Sequence, residues 1–495
     1  MNYLALFLMN LLLFLQSPVL AGEEVLKPLR TVVDINIGEL QKVELHSGED
    51  VTVKLLSVNE IRDEFRDAVR AARVKVAVDG QEITLDSANY NLPVSVASVQ
   101  IDCPITRGYY SNANGDAWGL EKDARLRLWP AGSRFIAPGT FGYPAHQRWF
   151  ATDTQMSNEP CFVDAGENPA SKEIYYHYAL DIGGAEGMVD VLAATDGLVV
   201  SKAGEVLEGH ENDTPVRARY DVYYILDDRG WYYRYSHIKS FETNVRLGER
   251  VTIGQKIGEL GKEGGSGGWS HLHFGIKARQ PSGKWGTEEG YAYFWESYVN
   301  QYKPSLIAVA RPHQVIAVGE TLMLDGSKSR SLTGKITTFE WFFDGETATG
   351  PVQKRVYSRP GIYSEVLKVT DSKGNIDYDF TVVNVIDRNH PDNLPPTIHA
   401  VYSPTFDIQP GDPVTFKVRV FRSNSGGETW DFGDGSPNVK TKSNPANPGD
   451  VHAPDGYAVV IHRFAKAGHY IVRIEHTAKN GYTAVGHVDV IVGGK

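Results

Sequence analysis

The chain has 495 residues, of which 41% are hydrophobic and 22% are charged, and its formal net charge is −11. This length is too great for one hydrophobic core, so three or four globular domains are expected, and the composition excludes extended disorder. Because the net charge is negative and no cluster of Lys and Arg stands out, nucleic-acid binding is not expected.

Residues 1–21 have the composition of a secretory signal peptide. The apolar run from Leu4 to Leu15 is short for a membrane span, and Val19 and Ala21 suit a cleavage site that requires small residues. No basic residue precedes the apolar run, so an uncleaved anchor is the alternative. We predict a secreted, periplasmic or cell-envelope protein with no membrane span after removal of the signal.

The chain has two cysteines, Cys103 and Cys161. In an oxidising compartment they can form one disulfide, and this is the pairing that we predict. Two free buried thiols are the alternative. Their separation in sequence does not suggest a zinc-binding pair.

Residues 24–105 predict a small β-rich module. VELHSGEDVTVKLLSV and RVKVAVDGQEITLD alternate as strands do, and the Asp79-Gly80 pair suits a hairpin turn. Between them, residues 59–74 (NEIRDEFRDAVRAARV) have helical spacing and predict a short amphipathic helix. Residues 106–170 are dense in Gly, Pro and Asn, which predicts a loop-rich connecting segment.

Residues 171–303 predict an antiparallel β domain. Their short strand-like segments are joined by glycine turns, and FWESYVNQY near the end predicts a closing helix. Residues 306–388 and 398–494 predict two further all-β domains, separated by the linker DRNHPDNLPPT. These two segments share an order of features that indicates a weak repeat and tandem β-sandwiches. The predicted fold class is therefore mostly β and multidomain.

The candidate site residues lie within 171–303. His271 and His273 in SHLHFGI are two apart, so on a strand both side chains point to the same face. Upstream, His177 and Asp181 form a second pattern in YYHYALDIGG. Two imidazoles and one carboxylate make a typical catalytic zinc set that leaves a position for water. Taken singly, each residue also suits a hydrogen-bonded histidine or a turn-capping aspartate.

Residues from about 171 to 285 resemble the lysostaphin-like, LytM-type zinc metallopeptidases of the M23 family. The resemblance extends to YRYSHI and to the run NVRLGERVTIGQKIGELGKEGGSGGWSHLHFGI. It implies that His177, Asp181 and His273 hold Zn²⁺. It also implies that His271 is the general base and that His237 of YRYSHI stabilises the oxyanion or orients water. The sequence is equally compatible with the opposite assignment of these two roles. Two departures are Ala179, where glycine is usual, and an apparent insertion at 205–220.

The two C-terminal segments resemble PKD domains, through WDFGDG with AGHYIVRI and, more loosely, EWFFDGE with PGIYSEVLKVTDSKGN. Together the resemblances imply a secreted zinc endopeptidase that cleaves peptidoglycan cross-bridges or stem peptides, or another extracellular peptide polymer. A zinc protease acting on Gly-rich secreted proteins is one alternative. A non-catalytic cell-envelope scaffold is another, and the presence of all five site residues argues against it.

Two further features lead to hypotheses. The segment SNANGDAW at 111–118 could block the metal through Asn112, Asn114 or Asp116, and removal of residues before about 170 would then raise activity. A plain connecting loop is the alternative. The aromatic residues of WYYRY could line a cleft, although strand alternation should direct half of them into the core. These are Trp231, Tyr232, Tyr233 and Tyr235.

Overall fold

A computed structural model of the protein describes residues 26–88, 90–109, 116–150, 174–444, 452, 454 and 456–493. The predicted signal peptide, Cys161, Asn112 and Asn114 lie outside the described residues. The secondary structure is almost entirely β, which confirms the predicted fold class. No helix within the described residues is long and apolar enough to cross a membrane.

The N-terminal region forms two antiparallel sheets, ordered β2-β3-β4-β5 and β1-β8-β7-β6, around a shared apolar core. Strand β8 lies within the segment predicted to be loop-rich, and it pairs with both β1 and β7. The strands are β1 (Thr31–Ile35), β2 (Leu40–Glu44), β3 (Asp50–Arg62), β4 (Val69–Val78), β5 (Gln81–Asp86), β6 (Val94–Val96), β7 (Val99–Thr106) and β8 (Ala124–Pro130), with a 3-10 turn at Arg107–Tyr109.

The amphipathic helix predicted over 59–74 is wrong. This segment is the hairpin of β3 and β4, in which Asn59 pairs with Arg73. Asp63 closes the turn by accepting the backbone N–H groups of Phe65 and Arg66. Strand β4 buries alternate residues in the module core, and this long-range packing outweighs the local helical spacing. The buried residues of that face are Val74, Val76 and Val78.

The central domain is antiparallel, as predicted, with a main sheet ordered β12-β11-β13-β14-β18-β19 and a small sheet ordered β10-β17-β15. Strand β16 pairs with β11, and β9 pairs with the first half of β18. The strands are β9 (Leu180–Gly183), β10 (Asp190–Leu192), β11 (Gly197–Lys202), β12 (Glu205–Val206), β13 (Tyr223–Leu226), β14 (Tyr232–Ser236), β15 (Ile238–Phe241), β16 (Arg250–Val251), β17 (Lys256–Leu260), β18 (His271–Arg279) and β19 (Trp285–Glu288).

The predicted closing helix is confirmed as α1 (Tyr291–Tyr302). It packs Tyr291, Phe294 and Tyr298 against the core of the central domain. The core face of β18 is apolar because alternate side chains enter the same cluster. Those side chains are Leu272, Phe274, Ile276 and Ala278. The remaining residues of β18, which include His271 and His273, therefore point to the opposite face.

The C-terminal part consists of two β domains that share a continuous nine-stranded sheet. Parallel pairing of Ile362 in β27 with Ala484 in β35 joins their two parts. The strands of the first domain are β20 (Leu306–Ile307), β21 (Gln314–Ala317), β22 (Thr321–Asp325), β23 (Arg330–Ser331), β24 (Ile336–Phe343), β25 (Glu346–Thr349), β26 (Val352–Val356), β27 (Gly361–Asp371) and β28 (Ile376–Ile386). Those of the second domain are β29 (Thr397–Ser403), β30 (Val414–Phe421), β31 (Glu428–Asp431), β32 (Val439–Thr441), β33 (Ala458–His462), β34 (Gly468–Thr477) and β35 (Thr483–Val492).

The two C-terminal domains have equivalent cores. Each places a fully buried tryptophan, Trp341 in β24 and Trp430 in β31, on a strand that pairs with the next strand and with a long strand of its domain. These strands carry the EWFFDGE and WDFGDG segments on which the predicted repeat rests. The domain limits predicted from the sequence (24–105, 106–170, 171–303, 306–388 and 398–494) remain a proposal.

The N-terminal module is attached to the central domain by a buried ionic network. Arg127 of β8 contacts Asp102, Glu288 and Glu289 at 2.6–3.1 Å, and Arg30 pairs with Glu288 at 2.7 Å. Aromatic residues from the chain up to residue 150 also enter the central core. They are Tyr90, Trp129, Phe141, Tyr143, Trp149 and Phe150. The central domain therefore does not complete its core without these upstream residues.

Cys103 is a free cysteine buried in the core of the N-terminal module. This differs from the predicted disulfide with Cys161, which lies outside the described residues. Burial raises the pKa of the Cys103 thiol to about 12, so the thiol is protonated and unreactive at neutral pH. Among the residues that the structure describes, Cys103 therefore acts as a small apolar core residue.

Candidate metal centre and active site

The pairing of β9 with β18 builds the centre of the site. Asp181 lies opposite His273, and Gly183 lies opposite His271. Because paired residues in antiparallel strands direct their side chains to the same face, Asp181 joins both histidines on the face away from the core. His177 approaches from the segment before β9. The nearest possible ligand atoms of His177, Asp181 and His273 all lie within 4.8 Å of one another.

The distances among these three residues suit a tetrahedral metal ion. His177 Nε2 lies 3.1 Å from Asp181 Oδ2 and 3.3 Å from His273 Nδ1, and His273 Nδ1 lies 3.0 Å from Asp181 Oδ1. Ligands about 2.0–2.1 Å from a tetrahedral zinc lie about 3.3 Å apart. Both histidines are buried, while Asp181 is partly exposed. The donor set therefore fits Zn²⁺ with an open side.

The electrostatics favour the protonation states that a metal requires. Burial alone would raise the pKa of Asp181, but the neighbouring His177 and His271 hold it well below its usual range. Burial lowers the pKa of His273 well below its usual range, against the opposing effect of Asp181. The site thus contains an ionised carboxylate and a neutral imidazole at these positions, which are the forms that bind zinc.

His271 is the fourth member of this face. Its Nδ1 lies 3.0 Å from the backbone carbonyl of Trp269, and its Nε2 lies 3.6 Å from Asp181 Oδ2. Because a carbonyl only accepts hydrogen bonds, the neutral ring carries its proton on Nδ1 and leaves Nε2 as a base. Burial lowers the pKa of His271 to about 4; Asp181 opposes this shift, and His237 adds to it.

His237 enters from the junction of β14 and β15 with a backbone φ of +68°. This left-handed conformation is uncommon for a residue other than glycine, and it directs the ring across the sheet toward β18. The ring centroid of His237 lies 4.7 Å from that of His271 and 5.8 Å from that of His273. His237 Nδ1 lies 2.6 Å from the carbonyl of Glu263, so Nδ1 donates to that oxygen.

Asp221 is a site residue that the sequence analysis missed. Its Oδ2 accepts the backbone N–H of His237 at 3.1 Å and lies 3.4 Å from His237 Nδ1. Arg219, from the segment predicted as an insertion, forms an ion pair with Asp221. Burial would raise the pKa of Asp221, but the bonds from His237 and Arg219 hold it below its usual range. No local signal in ARYDVYY identifies this contact, because it depends on strand pairing.

The structure brings together all five residues predicted from the sequence. Asp116, the third residue of the blocking hypothesis, instead accepts the backbone N–H groups of Trp118 and Gly119 and closes a turn. Among the aromatic residues of WYYRY, Tyr233 and Tyr235 enter the main core, as does Trp231. Tyr232 packs on the opposite face in a smaller cluster.

The second C-terminal domain contacts the loop that precedes His271. Trp269 stacks on Phe421 of β30, and the Ser270 N–H donates to the Tyr457 hydroxyl at 2.9 Å. Arg419 donates to the carbonyl of Gly268 at 3.3 Å. The backbone that carries His271 is therefore held on one side by a different domain.

Residues 175–284 match the family model of Peptidase family M23. Residues 304–385 and 398–490 each match a model described as PKD domain. Among curated proteins, the chain is similar to a microbial collagenase of Vibrio alginolyticus, with 32% identity over 110 residues that make up 20% of this chain and 13% of the collagenase. The chain thus spans only a small part of that relative.

Three solved structures are similar to parts of the chain. The catalytic domain of lysostaphin from Staphylococcus simulans is 20% identical and covers 29% of this chain and 90% of that domain, with a TM-score of 0.20. A putative glycyl-glycine endopeptidase lytM from Ruminococcus gnavus is 23% identical over 24% of this chain and 48% of that one, with a TM-score of 0.18. The PKD1 domain of the Vibrio cholerae metalloprotease PrtV is 27% identical over 16% of this chain and 93% of that domain, with a TM-score of 0.14.

Proposed function

We propose that this protein is an exported zinc-dependent endopeptidase. Its substrates would be the peptide bonds of peptidoglycan cross-bridges or stem peptides. The proposal starts from the match of residues 175–284 to the model of peptidase family M23 and from the two PKD matches that follow it. The observation that carries the proposal is the convergence of His177, Asp181 and His273 within 4.8 Å beside His271 and His237. The PKD domains would act as spacers or adhere to the polymer.

The metal would be held by His177, Asp181 and His273, whose donor atoms face one another at 3.0–3.3 Å. A bound zinc ion supplies Lewis acidity to a peptide carbonyl and lowers the pKa of a coordinated water toward 7. The pairing of β9 and β18 fixes Asp181 opposite His273, so these ligands need little reorganisation on binding. This preorganisation is what a catalytic site requires.

His271 would act as the general base at Nε2. Its Nδ1 proton is held by the Trp269 carbonyl at 3.0 Å, which fixes both the tautomer and the ring orientation. Nε2 can then accept a proton from the attacking water and return it to the leaving amine. The pKa of His271, lowered by burial, keeps this nitrogen unprotonated at neutral pH.

His237 would stabilise the negative charge that develops on the carbonyl oxygen. Its Nδ1 faces Glu263 and Asp221, so its Nε2 is the atom left to face the substrate. The carboxylate of Asp221 accepts the backbone N–H of His237 and lies 3.4 Å from its Nδ1, so it holds the ring in the orientation that directs Nε2 toward the oxyanion. His237 thus takes the electrophilic role and His271 the basic role.

The proposal is tested by incubating the mature protein with purified peptidoglycan, with and without a zinc chelator, and identifying new peptide termini by mass spectrometry. Chelator-sensitive release is expected, and the termini name the bond. His271→Ala should abolish release while the protein retains zinc, whereas His273→Ala should lose both. If zinc is bound and no peptide is released from any preparation, the peptidoglycan substrate is wrong.

A Gly-rich secreted protein is the second candidate substrate, because a microbial collagenase is among the similar proteins. Gelatin in the same assay separates the two. Chelator-sensitive cleavage of gelatin without release from peptidoglycan would move the proposal to a protein substrate. If neither polymer is cleaved although His271 and zinc are in place, a binding role would replace the enzyme.

A further inference from the structure

A cavity of about 380 Å³ lies beside the candidate metal centre on the same face of the sheet. Tyr178 connects the two, since it lines the cavity and packs its ring edge-on against His273 with centroids 5.8 Å apart. Lys277, also in the lining, is four residues after His273 on β18, so alternation places both side chains on one face. The cavity therefore lies next to the metal centre, with Tyr178 as the residue between them.

The register of the sheet accounts for the floor of the cavity. Arg234 of β14 pairs with Gly275, and Tyr224 of β13 pairs with Arg234. Both side chains line the cavity. Because Gly275 has no side chain, nothing on β18 stands between His273 and Lys277 on this face. Ala179 lies 3.8 Å from the position of a Gly275 Cβ, and the ring of Tyr178 contacts both His273 and Lys277. Tyr178 therefore forms the wall between the metal centre and the cavity.

Three cationic side chains line the cavity: Arg217, Arg234 and Lys277. Throughout the described ranges, no carboxylate lies within 4.0 Å of any of them. Asp116 is the one acidic residue in the lining, and its Oδ1 is engaged by backbone N–H groups. The cavity thus presents an excess of positive charge.

The guanidinium of Arg234 has an unused hydrogen-bond donor. Its Nε is buried without a hydrogen-bond partner among the described residues, and its Nη1 reaches the Tyr178 hydroxyl only at 3.4 Å. A buried donor without a partner is destabilising, and a guanidinium matches a carboxylate through two parallel hydrogen bonds. A carboxylate ligand would remove this cost.

Lys277 has hydrogen-bond partners, but among the described residues it has no carboxylate within ion-pair distance. Its Nζ donates to Thr287 Oγ1 at 2.8 Å and to the Ala117 carbonyl at 3.2 Å, and it lies 4.6 Å from the centre of the Tyr178 ring. Burial, together with the charge of Arg234, lowers the pKa of Lys277 to about 7. An anion in the cavity would raise that pKa and strengthen its own binding.

We propose that this cavity is a subsite for a carboxylate of the peptide substrate, held by Arg234 with Lys277 and Arg217. The inference rests on the proposed function insofar as the ligand is a peptide. Residues two apart on a strand are about 7 Å apart, so Gly275, the pairing partner of Arg234, and Lys277 lie about 7 and 13 Å along β18 from His273. An extended peptide covers this distance with about two to four residues. The enzyme would therefore prefer a substrate in which a carboxylate lies about two to four residues from the cleaved bond.

The carboxylate has two possible sources, the free C-terminus of the peptide or an acidic side chain. Four probes separate them: N-acetyl-triglycine, its C-terminal amide, and the amides of N-acetyl-Gly-Glu-Gly and N-acetyl-Gly-Gln-Gly. Binding is measured by titration calorimetry on the full-length protein after removal of metal. Because neither zinc nor hydrolysis is involved, a failure of the proposed peptidase activity leaves this test unaffected.

We expect at least one acid to bind about 10- to 100-fold more tightly than its neutral partner, the range for a charge-assisted hydrogen-bonded pair. Arg234→Gln should abolish that preference, and Arg246→Gln, at an exposed arginine, should preserve it. If the Arg234 variant does not fold, Arg217→Gln at the exposed rim should reduce the preference about twofold to fivefold. Equal binding of acid and neutral probes, or a preference that survives both cavity substitutions, overturns the proposal.

Discussion

Trp269 stacks face to face on Phe421, with ring centroids 4.4 Å apart and ring planes at 9°. The first residue lies in the segment that matches the family M23 model, and the second lies in the second segment that matches a PKD model. The backbone carbonyl of Trp269 is also the acceptor for His271 Nδ1. A contact between two domains thus lies one hydrogen bond away from the proposed general base.

Phe421→Ala should reduce hydrolysis without loss of zinc. Loss of the stack frees the Trp269 loop, so the carbonyl that orients His271 is no longer fixed, and a decrease of about 10-fold in kcat is expected. The measurement combines peptide release with metal analysis. Phe342→Ala, which removes an exposed aromatic residue of the first PKD domain, is the control and should leave kcat unchanged. Equal rates for both variants would mean that the second PKD domain does not position the base.

Asp221→Asn should lower kcat about 10- to 100-fold, the usual effect of losing a residue that orients a catalytic histidine. The amide loses the ion pair with Arg219 that holds this side chain, so the ring and backbone of His237 are positioned less firmly. The ratio of kcat to zinc content separates this effect from metal loss. Asp228→Asn, at an exposed aspartate that pairs with Arg250, serves as the matched control. A variant with full activity would show that Asp221 does not position His237.

Zinc should stabilise the folded protein. At a free zinc concentration of 100 times Kd, binding adds about 2.7 kcal/mol to the free energy of unfolding of the domain. Thermal melting of chelated protein before and after zinc addition checks this effect. His273→Ala should abolish the increase in Tm, whereas His271→Ala should retain most of it. An equal loss in both variants would place His271 among the ligands.

Removal of residues before about 170 should not activate the protein, contrary to the expectation from the blocking hypothesis. Truncation would leave Glu288 and Glu289 without Arg127 and would remove aromatic residues from the shared core. Arg127→Met, which breaks the same network in the full chain, should cost about 3–5 kcal/mol because buried carboxylates lose their partner. Chemical denaturation measures this loss. A truncated protein that is both folded and more active would restore the blocking hypothesis.

The first PKD domain should lose stability as the pH rises toward 7. Burial raises the pKa of Glu365 to about 7, above the ordinary value of 4.5, although Tyr357 donates a hydrogen bond to it. Between these pH values the folded state holds a proton that the unfolded state has released, so the free energy of unfolding falls with rising pH.

Glu365→Gln should therefore match the wild type near pH 4 and exceed it at pH 8, by about 1–3 kcal/mol. Calorimetric melting of both proteins across this pH range measures the difference. Glu346→Gln, at an exposed residue of the same domain, should change stability by less than about 0.5 kcal/mol at every pH. A constant difference between Glu365→Gln and the wild type would show that Glu365 ionises normally.

Local patterns in the sequence were sufficient to predict several features that the structure and the family models confirm. Alternation of apolar residues predicted the antiparallel central domain, and the order of motifs predicted its resemblance to family M23 and the two PKD domains. These patterns succeed because side-chain direction repeats every two residues on a strand, so His271 and His273 share a face wherever the strand lies. The helix predicted over 59–74 failed because its spacing suited both a helix and a hairpin.

Only the tertiary structure decided which distant residues meet. Asp221 approaches His237 through strand pairing, Phe421 reaches Trp269 from another domain, and Arg127 joins the N-terminal module to Glu288. No periodic pattern in the sequence indicates these contacts, since each depends on how separate strands and domains pack. Local chemistry thus determined the candidate zinc ligands, whereas long-range packing determined which residues orient the catalytic histidines and which cations line the adjacent cavity.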